Sequence, residues 1–181
     1  SSDVCSSDLV KIAMSDSLCH WMLWNNYEKF HNEFPGIHLK IVSGSTQDLF
    51  RLAKQNDVDF IFTLDKHIYD NNYIIVKEHP VAVHFVAHRD NELCKKFNLS
   101  FSDILNEQFI LTEKGMSYRR PLDEKLARES IDLKPILELG DTDLICRLVS
   151  QNMGISFLPD FVTKEMVSNG EIRHIDVSDV N

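Results

Sequence analysis

Gly140-Asp141-Thr142-Asp143-Leu144-Ile145-Cys146-Arg147-Leu148-Val149-Ser150-Gln151-Asn152-Met153-Gly154-Ile155-Ser156-Phe157-Leu158-Pro159 is the most informative stretch of this chain. Gly140 and Asp141-Thr142 are turn and N-cap residue types set just before an amphipathic run, in which Leu144, Ile145, Leu148 and Val149 share one helical face. Gly154 is expected at a left-handed C′ position, and Ile155 to Leu158 is a short apolar run stopped by Pro159. The segment therefore predicts a capped helix, a turn and a buried strand.

The same alternation of short strands and helices extends in both directions. Val10 to Met14 is strand-like, and Ser15-Asp16-Ser17 caps a helix running to about Phe34. That helix has a core face of Cys19, Leu23, Tyr27, Phe30 and Phe34 and a second apolar face of Leu18, Trp21, Met22 and Trp24. Pro35-Gly36 turns into the strand Ile37 to Val42, Ser43 to Thr46 leads into a helix carrying Leu49, Leu52 and Ala53, and Val58 to Phe62 is a buried strand. Two successive βαβ units make a parallel, doubly wound lobe. Runs Tyr73 to Val76 and Val81 to Ala87 are strand-like. A second lobe follows with strand Phe109 to Leu111, helix Tyr118 to Ser130, strand Ile136 to Leu139, the segment quoted above, and a closing strand Glu171 to Val177.

Length and charge limit the function. A chain of 181 residues accommodates one good core or two small ones side by side. A formal net charge of -9 opposes any unaided grip on nucleic acid, which needs clustered Lys and Arg. No apolar run is long enough to cross a bilayer, so no membrane partner is expected and a cytoplasmic location is. Cys5, Cys19, Cys94 and Cys146 show neither CxxC nor zinc-ligand spacing and read as reduced thiols. Residues 1–9 repeat Ser-Ser-Asp and match the translation of a common sequencing adapter, so they are expected to be a non-native tail that adds nothing to the fold.

From about Val10 to its end, on the motif at residues 140–159 above all, the chain resembles the effector-binding domain of LysR-type transcriptional regulators. The resemblance implies an α/β fold of two Rossmann-like, periplasmic-binding-protein-like lobes joined by crossing strands, with an effector cleft between them. It divides the chain into lobe I at 10–84, lobe II at 85–159 and a return to lobe I at 160–181, with the family's N-terminal winged helix-turn-helix absent. Its implied partners are a small-molecule effector, either a small organic acid or a zwitterion, a second copy in a homodimer or tetramer, and DNA only through the missing domain. The first helix, with Leu18, Trp21, Met22 and Trp24, is the implied dimer surface. A solute-binding protein of a transporter, or a cleft enzyme on the same two-lobed fold, is the competing assignment, because fold alone does not fix function.

Three segments place hydroxyl or amide donors between a strand's C-terminal end and a helix start, where open α/β sheets put ligands. They supply the candidate effector residues Ser15, Asp16, Ser17, Thr112, Ser117, Arg119, Asp141 and Thr142; Ser43 to Thr46 is a weaker fourth. Each is also an ordinary helix cap. Arg119 or Arg120 would pair with a ligand carboxylate, or serve as a solvated helix start. Many family members have Thr or Gln where this chain has Ser17 and Leu18, which leaves the effector's identity open. Cys19 and Cys146 lie near the starts of two such helices but at apolar positions, which favours inert core thiols. No cofactor is expected. No metal is expected either: His84 and His88 lie in a strand-like run where their rings need not converge, and no third ligand is near in sequence. There is no Gly-x-Ser-x-Gly elbow and no phosphate-binding glycine loop, so the chain is not expected to be an enzyme.

Overall fold

The computed structural model describes residues 8–65 and 70–180, which form two compact units dividing after Asp65. In the first, strand β1 (Asp8–Met14) lies between β2 (Ile37–Ser43) and β3 (Phe60–Phe62) in an all-parallel sheet of order β2-β1-β3. The crossovers are helix α1 (Asp16–Glu33) and helix α2 (Thr46–Lys54), giving the two βαβ units that the periodicity predicts. Ala13, Met14 and Leu49 are fully buried at the centre of this unit. A capping box starts α2: Ser45 Oγ accepts from the Asp48 N–H, and Asp48 accepts in return from the Ser45 N–H and hydroxyl.

The second unit is built on β4 (Val83–His88), which runs antiparallel to β7 (Ser156–Pro159) on one side and to β8 (Ile172–Ile175) on the other. The short strands β5 (Ile110–Leu111) and β6 (Leu137–Glu138) pair in parallel, and a Phe109–Ile155 bridge joins them to the start of β7. Phe85, Phe101, Phe109 and Phe157 form an aromatic core, with the Phe85 and Phe157 ring centroids 4.6 Å apart. Helices α3 (Phe101–Ile104) and α4 (Arg120–Glu129) contribute Phe101, Ile104, Leu122 and Leu126 to it. Helix α5 (Thr142–Ser150) and helix α6 (Asp160–Ser168) pack against β4, β7 and β8.

The structure corrects several expectations. Strand β1 starts at Asp8, so the last two residues of the expected tail pair with Ile37 and His38; residues 1–7 lie outside the described set. The stretch 160–180 belongs to the second compact unit, where β8 completes the β4 sheet. Asp179 also accepts from the Phe101 N–H at 2.7 Å and from Lys125 Nζ at 2.6 Å. The two compact units divide after Asp65. Tyr73 to Val76 forms no strand: Asp70 bonds the Asn72 N–H and side chain in a tight turn, and Ile74 and Val76 stay exposed.

In the first unit the apolar helix face is covered less than its periodicity implies. No α1 residue with a described side chain is fully buried, Tyr27 and Phe34 are exposed, and so are Phe60 and Phe62 of β3. An 18-residue helix over a sheet of three strands has more apolar surface than the sheet covers.

On α5 the buried face is Thr142, Ile145, Cys146 and Val149, while Leu144 is exposed, a rotation of about one position from the expected face. The left-handed residue after α5 is Asn152 at φ 58°, not Gly154. Gly154 is needed for a different reason, since a Cβ there would stand 2.5 Å from the Gln108 carbonyl oxygen.

Candidate functional site

In the second unit the parallel pair β5 and β6 aims two loops the same way. Leu139 N donates to the Leu111 carbonyl at 3.1 Å, so residues 112–117 and 139–141 leave the sheet side by side. Each loop then enters a helix. The first passes through a 3-10 turn, Ser117–Arg119, into α4, and the second enters α5 with Asp141 as N-cap accepting from the Leu144 N–H at 3.0 Å. Five predicted residues, Thr112, Ser117, Arg119, Asp141 and Thr142, thus lie on one pair of neighbouring loops and the helix starts that they enter. Thr112 and Thr142 are buried, Asp141 is exposed, and the buried Thr112 Oγ1 has no hydrogen-bond partner.

Arg119 holds the two loops together. Its side chain is 2% exposed, its Nη1 donates to the Thr112 carbonyl and to Glu138 Oε2 at 2.7 Å, and its Nε donates to Asp123 Oδ1 at 3.0 Å. The guanidinium is therefore bonded to the end of β5, the end of β6 and the first turn of α4. The solvated helix start considered for this residue does not occur. Two carboxylates already meet its charge, which suits a staple better than a free anion receptor. The Asp123 contact follows the (i, i+4) spacing visible in the sequence, whereas the Glu138 contact depends on the β5–β6 register.

Ser15, Asp16 and Ser17 lie in the first unit, at the C-terminal end of β1. Ser15 is the N-cap of α1, its carbonyl accepting from Cys19 N, and its hydroxyl lies 3.4 Å from that of Ser17 rather than capping the helix. Asp16 is exposed in the first turn. The weaker candidate at residues 43–46 has its Ser45 hydroxyl committed to the α2 capping box. Burial, with Asp143 nearby, pushes the Cys146 thiol up to about 12, and burial with Asp16 raises Cys19 too, both shifts disfavouring the thiolate.

Sequence reasoning missed one constellation. His84 on β4, Asp160 at the start of α6 and His174 on β8 place one ligand-type atom each within 4.8 Å of one another. The signal was hidden because these residues are 76 and 14 positions apart and meet only through the antiparallel register of β4 with β7 and β8. His88, the partner considered for His84, instead lies 3.8 Å from Asp90.

Comparison with known proteins gives one consistent result. Residues 6–181 match the family described as LysR substrate binding domain. The HTH-type transcriptional activator CmpR of Synechocystis is 27% identical over 152 residues, covering 82% of this chain and 49% of its own length. The HTH-type transcriptional regulator CysL of Bacillus subtilis is 22% identical over 169 residues, covering 93% of this chain and 56% of its own length. The chain thus spans about half the length of these curated relatives. Among solved structures, the CcmR regulatory domain of Synechocystis PCC6803 in complex with 2-PG superposes with a TM-score of 0.76 at 20% identity, covering 96% of this chain and 82% of that one. The effector binding domain of QuiR in complex with shikimate gives 0.71 at 14% identity, covering 97% and 83%. At these identities the two structures establish the two-lobed α/β fold.

Proposed function

The chain belongs to the LysR substrate binding domain family, and from that membership we infer that it is the ligand-sensing regulatory part of a transcriptional regulator. The match across nearly its whole length carries this conclusion. The curated relatives are HTH-type regulators, not transport proteins or enzymes, so no catalytic activity is assigned. In the intact, cytoplasmic protein, DNA contact is assigned to a winged helix-turn-helix outside this sequence, in keeping with the acidic charge of -9.

The proposed effector is a small organic acid or zwitterion; the 2-PG and shikimate carried by two similar domains support a small molecule. Thr112, Ser117, Asp141 and Thr142 are the proposed contacts in the second unit, and Ser15, Asp16 and Ser17 in the first. The unpartnered Thr112 hydroxyl is the strongest local support. Arg119 acts in this scheme by fixing the positions of Thr112 and the 139–141 loop. An effector that binds one arrangement of the domain better than another shifts the balance between them, which is how occupancy would reach the DNA-binding part.

A thermal-shift screen of small organic acids, shikimate included, tests the proposal. A compound at a hundred times its Kd is expected to add about 2.7 kcal/mol to stability. With a compound so found, Thr112→Ala, Ser117→Ala and Ser15→Ala are each expected to weaken binding by about 0.5–1.5 kcal/mol per lost hydrogen bond. Undiminished affinity in all three variants would move the site elsewhere.

We also propose a homodimer contact on Leu18, Trp21, Met22 and Trp24 of α1. Trp24 is 86% exposed and Trp21 40%, an unusual amount of bare indole for a monomer. Trp24→Glu is expected to convert dimers to monomers in sedimentation velocity, and a dimer unchanged by it would place the interface on another surface.

A further inference from the structure

We propose that His84, Asp160 and His174 form a binding site for a divalent transition-metal ion, zinc being the reference case. None of these residues is among those assigned to the effector. They come together because Val83 pairs with Pro159, which brings Asp160 beside His84, while His174 opposes Val86 and so lies diagonal to His84 on the same face of the sheet. The Asp160 N–H donates to the Ala82 carbonyl at 3.0 Å, fixing the start of α6 against β4.

The geometry suits a metal. His84 Nδ1 lies 2.6 Å and His174 Nε2 3.7 Å from the same oxygen, Asp160 Oδ1, and one ligand-type atom from each of the three residues lies within 4.8 Å of the others. A tetrahedral ion with bonds of ~2.0 Å sets its ligand atoms about 3.3 Å apart, so side-chain torsions need supply only a small adjustment. His174 Nε2 is a buried ring nitrogen with no hydrogen-bond partner, next to a carboxylate and a second imidazole. Metal coordination would give it one.

Two imidazoles and one carboxylate select Zn²⁺, Ni²⁺ or Cu²⁺ over Mg²⁺ and Ca²⁺, which need oxygen-rich shells. The side chains are 43%, 41% and 37% exposed, so an ion can enter from solvent. A surface pocket of about 330 Å³ lined by Asp160, Phe161, Lys164 and His174 adjoins the site and leaves room for a fourth ligand. The net charge of -9 raises the local concentration of cations.

Isothermal titration of the 181-residue chain with ZnCl₂ at neutral pH decides the matter. One equivalent is expected to bind. His84→Ala and His174→Gln are each expected to weaken it by ~100-fold or more, beyond the 10–100-fold that loss of an outer-shell partner costs. The double variant is expected to bind none while keeping its far-UV circular dichroism. A variant with Cys5, Cys19 and Cys94 changed to Ser is expected to bind as the parent does. Absence of binding by the parent, binding that survives in the folded double histidine variant, or loss of binding in the folded cysteine variant would each overturn the proposal. If the histidine variants misfold, Asp160→Asn, which preserves side-chain shape, supplies the same comparison.

Discussion

Replacing Arg119 by methionine is expected to lower the unfolding free energy of the second unit by about 2–4 kcal/mol, read from urea denaturation. The methionine fills most of the volume of a side chain that is 2% exposed, but it cannot bond the Thr112 carbonyl, Glu138 or Asp123. Asp123 and Glu138 are 30% and 37% exposed and recover part of their hydration, which keeps the loss below that of a fully buried broken ion pair. Arg119→Lys keeps the charge without the planar fork, so it is expected to fall between the parent and Arg119→Met. Equal stability of all three would mean that the guanidinium does not staple the loops.

Gly154→Ala is expected to cost a comparable amount, about 2–3 kcal/mol, at the upper end of what overpacking costs. The added Cβ would meet the Gln108 carbonyl oxygen at 2.5 Å, and that oxygen accepts from the Ile155 N–H at 2.8 Å. Relieving the clash means lengthening this bond and its neighbour, Ile110 N–H to Ile155 carbonyl, which together link β5 to β7. The effect is therefore expected in the cooperativity of the second unit's sheet as well as in its midpoint. A Gly154→Ala protein as stable as the parent would show that the strand separates from Gln108 without penalty.

Gly154 also shows the limits of reading residue types. Its conservation of space was not visible in the sequence: a glycine after a helix ordinarily signals a left-handed cap, and here Asn152 takes that conformation. The helix, turn and strand at residues 142–159 were legible because capping, 3.6-residue periodicity and a short apolar run are local signals. Thr112, Ser117, Arg119, Asp141 and Thr142 were legible as strand-end and helix-start residues for the same reason. That Arg119 is bonded to Glu138 was not, since nothing near Arg119 specifies which strand end will lie beside it.

The α/β alternation, the parallel βαβ start and the family were readable from the order of residues, because each depends on short-range patterns repeated along the chain. Long-range packing is what makes residues 160–180 complete the second unit's sheet, leaves Trp24 of α1 exposed, and brings His84, Asp160 and His174 together. Those outcomes depend on strand register and on how much surface a three-stranded sheet can cover. Both are set by pairings between residues far apart in the chain, whose energies no local pattern records.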